Sequence, residues 1–260
     1  MTYSKWQKIG LLCLGAALAV SVSGCSFDQT TTQNQQEPVE IEVSQEQTQP
    51  IAKKIAVEAE PINEDTVAYT VEVTLPVISG FSDQAFETSL NQGIKDAAND
   101  FIEAIKAMAL DVQEDGYLTS PYHAGIEYTV LNNSDSYLSV ELFYNEYTGG
   151  AHGNYYSEYI NCDVQNEKIL ALKDIMKPDE PYMKVLNEAI TEAIEKERSE
   201  SEYGEELHPW YEGVTEETLT FSIQEEGLGI HFQPYEIGPY AEGAPSYVIP
   251  YEKLSDVLSL

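Results

Sequence analysis

The chain has 260 residues, 42% hydrophobic and 22% charged, which gives room for one large domain or two small ones around an apolar core. Lys+Arg number 13 against 45 Asp+Glu, a formal net charge of −32, with Arg198 as the single arginine. Such a surface repels phosphate backbones and anionic headgroups, so nucleic acid is excluded as a partner class and cations or basic proteins are the favoured company, although the same acidity also serves solubility alone.

The chain is expected to open with a leader. Lys5 and Lys8 form a positive start, Ile9 to Val20 is mostly apolar, and Val22-Ser23-Gly24-Cys25 follows. The run is too short to span a bilayer and has the order of parts of a secretory signal. Its ending resembles a bacterial lipobox, which implies a signal peptide over residues 1–24, acylation of Cys25, and a mature charge of −34 once Lys5 and Lys8 are gone. A diacylated Cys25 anchors stably where one chain does not, so the expected location is the outer face of the cytoplasmic membrane. Residues 25–50 are rich in Gln, Thr, Glu and Ser and poor in large apolar side chains, the composition of a disordered tether, spanning about 25–30 Å. On that resemblance Cys13 would leave with the leader and Cys25 would carry lipid, which would leave Cys162 without an intramolecular partner. With no histidine beside it in sequence, a buried structural thiol is favoured over a nucleophile.

Ordered structure is expected from about Ile51. Thr66 to Ile78 alternates as a strand with Pro76 near its end. Ser82 is placed to cap a long helix whose stripe is Phe86, Leu90, Ile94, Ala97, Phe101, Ile105, Met108 and Val112, ending before Gly116. Tyr122 to Leu131, Tyr137 to Tyr147 and Tyr155 to Val164 read as a meander of strands, and Lys168 to Leu170 adds a short one. A second helix is expected from Pro181 to Glu197 through Met183, Leu186, Ile190 and Ile194. Thr218 to Ile223 and Leu228 to Phe232 form a hairpin about Gly227, and a short helix begins at Glu252. The class is α+β: an antiparallel sheet packed with a long N-terminal helix and further C-terminal helices, divided into a small module over 51–118 and a larger domain over 119–260.

The stretches "TGGAHGNYYSEYINCDVQNEKILALKDI" and "GLGIHFQPYEIGPYAEGAPSYVIPYEKL" resemble the ectodomain shared by RsiV-type anti-sigma factors and the non-catalytic part of PdaC-type peptidoglycan deacetylases, and "VTLPVISGFSDQAFETSLNQGI" resembles the module that precedes it. The resemblance covers about Ile55 to Leu260 and implies an extracytoplasmic α+β domain that binds lysozyme as a signal. A cytoplasmic sigma-binding segment, a spanning helix and a polysaccharide deacetylase domain find no counterpart, so direct sigma control and deacetylation are not expected.

The central "YTGGAHGNYY" admits three readings: a tight turn, a partner-contacting loop, or a catalytic loop. Its glycines permit positive φ and close backbone approach. His152 has no second histidine at metal spacing, the others being His123, His208 and His231, and no nucleophile motif accompanies it. No Asp-x-Asp-x-Asp-Gly loop supports calcium, and the acids from Glu195 to Glu206 offer at most loose divalent binding. No catalytic, cofactor or metal residue is therefore assigned. The candidate partner-binding residues are Gly149, Gly150, His152, Asn154 and Tyr155, together with Tyr235, Pro239 and Tyr240 in a Gly- and Pro-rich loop that presents rigid aromatic anchors. The expected function is a lipid-anchored binding or sensor module that captures a basic protein, with lysozyme named from the resemblance. The alternatives are a peptidoglycan-associated enzyme or enzyme accessory and a structural lipoprotein.

Overall fold

The computed structural model describes residues 54–260, so the expected signal peptide over 1–24, the expected lipidation at Cys25 and the expected tether over 25–50 lie outside the described residues. β1 (Ala56–Asp65) and β2 (Tyr69–Ser79) form an antiparallel hairpin, followed by the long helix α1 (Gln84–Glu114). β3 (Tyr122–Asn133), β4 (Tyr137–Tyr147), β5 (Asn154–Asp163) and the short β6 (Lys168–Ile169) complete a six-stranded sheet in the order β1 to β6. All its pairs are antiparallel except β2 with β3, which α1 joins as a crossover. The boundary expected at 118 falls in the link from α1 to β3, and strands from both sides share this sheet.

Helix α2 (Tyr182–Glu200) then leads to a second sheet of β7 (Thr220–Ile223), β8 (Gly227–His231) and β9 (Ser246–Pro250), and the one-turn α3 (Tyr251–Leu254) follows. The expected α+β class is the class observed, with antiparallel pairing throughout but for the one crossover.

Three local expectations shift. Asp83, not Ser82, caps α1: its carboxylate accepts from the Ala85 and Phe86 N–H groups. The buried stripe of α1 is Leu90, Ile94, Ala97, Ala98, Ile102, Ile105 and Ala109, while Met108 is 44% exposed, so the helix is turned slightly from the face its large side chains suggest. β1 was not expected from its pattern, because Pro61 and four acids interrupt it. It forms because β2 offers ten paired positions, and because Lys95 and Lys106 of α1 reach Glu60 and Glu64 on it at 2.9 and 2.7 Å.

One core lies between the large sheet and α1, and a second among β7 to β9, α2 and α3. β5 joins them. Its even positions face α1: Ile160 and Cys162 are fully buried there, and Tyr156 stacks on Tyr144 at 4.7 Å. Its odd positions meet the second sheet. The Asn161 carboxamide accepts from Ile223 N at 2.9 Å and from Ser139 Oγ at 2.7 Å, and donates to Phe221 O at 3.0 Å. Four residues earlier, Gln233 grips β5 in return, its carboxamide accepting from Ser157 N and donating to Ser157 O.

Replacing Asn161 by Ala orphans a buried N–H and a buried C=O of β7. Urea unfolding is expected to show a loss of about 2–4 kcal/mol, whereas Asn154→Ala on the exposed rim changes stability by under about 0.5 kcal/mol.

Candidate functional site

The two predicted stretches meet at one end of the large sheet. The β4–β5 connection needs glycine: Gly149 and Gly150 hold φ of +89° and +101°, and a Cβ on Gly153 would lie 2.5 Å from Glu146 O. Tyr147 Oη donates to Gly150 O at 3.1 Å, which closes the turn. The exposed His152 ring stacks on Tyr240 with centroids 4.1 Å apart and planes 21° from parallel. Gly153 O accepts both His152 Nδ1 and Tyr240 Oη at 2.8 Å, so Nδ1 carries the proton, a carbonyl having none to give. Tyr155 packs between Phe143 and Tyr240 at 5.6 and 5.9 Å, and Tyr235, 52% exposed at φ +68°, lies 5.4 Å from Tyr240. Pro239 is exposed and opens the turn Tyr240–Glu242, while Asn154 points outward and reaches Glu146 only at 3.5 Å. His152, Tyr155, Tyr235 and Tyr240 thus form one aromatic cluster that Pro239 borders. Gly149 and Gly150 shape it, and Asn154 stands at its rim.

A third loop, after α2, is fastened to this cluster. Arg198 donates from Nε to Leu207 O and from Nη2 to His208 O, both at 3.0 Å. Glu242 accepts the His208 N–H at 2.8 Å, and Trp210 N donates to Ile237 O at 3.0 Å. The His208 ring is 2% exposed and at φ +50°. Its Nε2 lies 3.1 Å from Glu197 Oε2, which also accepts Tyr247 Oη at 2.5 Å. Its Nδ1 is 2.9 Å from Glu242 Oε2, an ion-pair distance, but off the hydrogen-bond direction. The strained backbone at His208 and Tyr235, about 1–3 kcal/mol each, is held by this web of contacts. Sequence reasoning passed over Arg198, His208, Trp210 and Glu242. The available signal was "HPWYEG", a tryptophan set in an acidic loop.

The groups suited to catalysis are dispersed. Cys162 is fully buried, and desolvation pushes its thiol up to about 12. His123 bridges Thr70 Oγ1 at 3.0 Å and Asn145 Oδ1 at 3.1 Å, linking β2, β3 and β4. His231 is buried between Ser222 Oγ and Ser246 Oγ, each at 2.8 Å, and stacks on Tyr159 at 3.9 Å. Both its ring nitrogens are taken by hydroxyls and no carboxylate orients it, which differs from a nucleophile–base–acid array. Among the described residues no group of three or more His, Cys, Asp or Glu is arranged to hold a metal ion, and no helix is long and apolar enough to cross a membrane.

The family model described as Deacetylase PdaC matches residues 62–155, and that of the Protein of unknown function (DUF3298) matches residues 173–252. The chain is 27% identical over 204 residues to the anti-sigma-V factor RsiV of Bacillus subtilis, covering 76% of this chain and 68% of RsiV. It is 21% identical over 202 residues to the peptidoglycan-N-acetylmuramic acid deacetylase PdaC of the same organism, covering 78% of this chain and 42% of that protein. DUF3298 family structures from Bacteroides fragilis and Pseudomonas aeruginosa superpose with TM-scores of 0.58 and 0.56 at 20% and 18% identity. They cover 80% and 79% of this chain and 95% and 94% of their own. At those identities the likeness establishes the fold.

Burial depresses the His231 imidazole from 6.5 to about 4, so the unfolded chain binds its proton first as pH falls. Stability from this group is full above about pH 6.5, declines towards pH 4 and then levels, a loss of about 3 kcal/mol. Urea midpoints measured from pH 7 to 5 are expected to fall less steeply in His231→Gln than in the unsubstituted chain.

Proposed function

We propose that this chain, which matches a PdaC model over residues 62–155 and a DUF3298 model over residues 173–252, is a lipid-anchored binding or sensor module that captures a basic protein at the cell surface, lysozyme being the named candidate. Kinship with RsiV and PdaC supports the coarser statement, an extracytoplasmic module of the cell envelope with an extracellular protein as partner.

The observation that carries the reading is the face on which His152, Tyr155, Tyr235 and Tyr240 converge. Aromatic rings held by backbone hydrogen bonds lose little entropy on binding, and desolvated aromatics dominate interface energies. The charge of −32 supplies the long-range part: a cationic protein approaching this chain is steered, with association raised about 10- to 1,000-fold at low salt. Capture rather than catalysis is supported by the surroundings of the reactive groups, a thiol sealed in the core and a histidine shared by two serines. The second reading, an accessory to peptidoglycan processing, is favoured by the PdaC likeness and would appear as turnover of a cell-wall substrate by the purified chain.

Titration of residues 51–260 with lysozyme is expected to give saturable binding that weakens as salt rises, and Tyr240→Ala should weaken it by about tenfold. Binding no tighter than that of an unrelated acidic protein would remove the lysozyme assignment. Separately, metabolic labelling with palmitate in a bacterial host is expected to tag the full chain and to leave Cys25→Ala unlabelled. Equal labelling of both would refute the anchor.

A further inference from the structure

We propose that Trp210 and the acidic loop that carries it form the arginine-reading part of the binding face, a deepening that rests on the basic-protein reading above. Trp210 is 49% exposed and Tyr203 67% exposed, while the next residue, Tyr211, turns inward onto Phe232 at 5.9 Å. The outward indole therefore fills no part of either core. The loop beneath it is rigid: Arg198 holds the carbonyls of Leu207 and His208, Glu242 holds the His208 N–H, and Trp210 N is bonded to Ile237 O. Those last two contacts tie the loop to the segment bearing Tyr235 and Tyr240, so the backbone that carries the indole adjoins the aromatic cluster.

Its charge is uncompensated. Glu202, Glu206 and Glu212 are exposed around Trp210 in sequence, and among the described residues no lysine, arginine or histidine forms an ion pair with any of them. Arg198, the cation fixed beside this loop, is committed to backbone carbonyls. An exposed indole on a loop whose exposed carboxylates lack a counter-charge matches one side chain better than others. Guanidinium is planar and weakly hydrated, so it stacks on the ring face while its N–H groups fork to carboxylate. A lysine ammonium is more strongly hydrated, and a neutral saccharide would leave the acids without a partner. The occupant is thus an arginine on the surface of a cationic polypeptide.

The chain has two tryptophans, Trp6 and Trp210, so Trp6→Phe in the full chain leaves Trp210 as the sole indole. Titrated with deca-arginine, which has no aromatic residue, its emission is expected to change saturably, and the added substitution Trp210→Ala should weaken peptide binding about 5- to 30-fold by calorimetry. Glu206→Gln with Glu212→Gln should weaken it as well and flatten its salt dependence. The emission readout needs no substitution at the site, so it stands even if Trp210→Ala folds poorly. The assignment is overturned if the peptide binds while Trp210 emission stays constant and Trp210→Ala binds within twofold, or if a neutral cell-wall saccharide shifts the emission and the peptide does not. Failure of the unsubstituted chain to bind any cationic protein would remove the underlying function instead.

Discussion

The contacts between the two sheets depend on the outward row of β5, where Asn161 and Gln233 exchange carboxamide hydrogen bonds with backbone. Two further side chains follow the same pattern: Asn91 of α1 takes both the N–H and the C=O of Ile78, and Asn187 of α2 takes both from Val214. A carboxamide offers a donor and an acceptor at peptide spacing, so it pairs with a backbone segment as another strand would. It also does so without charge. In a chain where acids outnumber cations by 45 to 13, ion pairs cannot supply enough cross-links, and neutral latches also escape the mutual repulsion of the surface.

The same scarcity explains how acids near structural turns are used. Glu87 accepts the N–H groups of Gly80 and Phe81, and Glu167 accepts those of Ser82 and Asp83, so the entry to α1 is fixed by carboxylates on backbone amides. Glu242 does this for the His208 loop and Glu236 for Gln233. Charge-assisted bonds of this kind are stronger than neutral ones and need no lysine or arginine. The loops around the aromatic cluster are ordered in the same way, by Glu242 on the His208 N–H and by backbone contacts, with the Arg198 guanidinium on the Leu207 and His208 carbonyls as the cationic exception.

The strands and helices with clean periodicity were legible in the sequence, β4 over Tyr137 to Tyr147 most plainly, because each buries one face against a core. β1 was not, since Pro61 and its acids hide a pairing that only β2 and two distant lysines explain. β9 was missed for a related reason: it follows a Gly- and Pro-rich loop and has only Ile249 buried. At the site, the choice of Tyr240 and His152 could be made from residue type. Their stacking could not, because the bond that fixes it, Tyr240 Oη to Gly153 O, joins positions 87 residues apart. Trp210 left no periodic signal, and its outward orientation is decided by Tyr211 turning in.

Residue 56 enters the sheet opposite Ser79, and Asn133 Nδ2 holds Ile55 O at that same edge. The β4–β5 turn lies at the other end, a strand length of about 30 Å away. Whatever precedes the described chain is therefore attached at the pole opposite the aromatic loops. A pull applied between the two poles runs along the strands and across their hydrogen bonds, so it is borne as shear by many bonds together, and the ladder need not open one rung at a time.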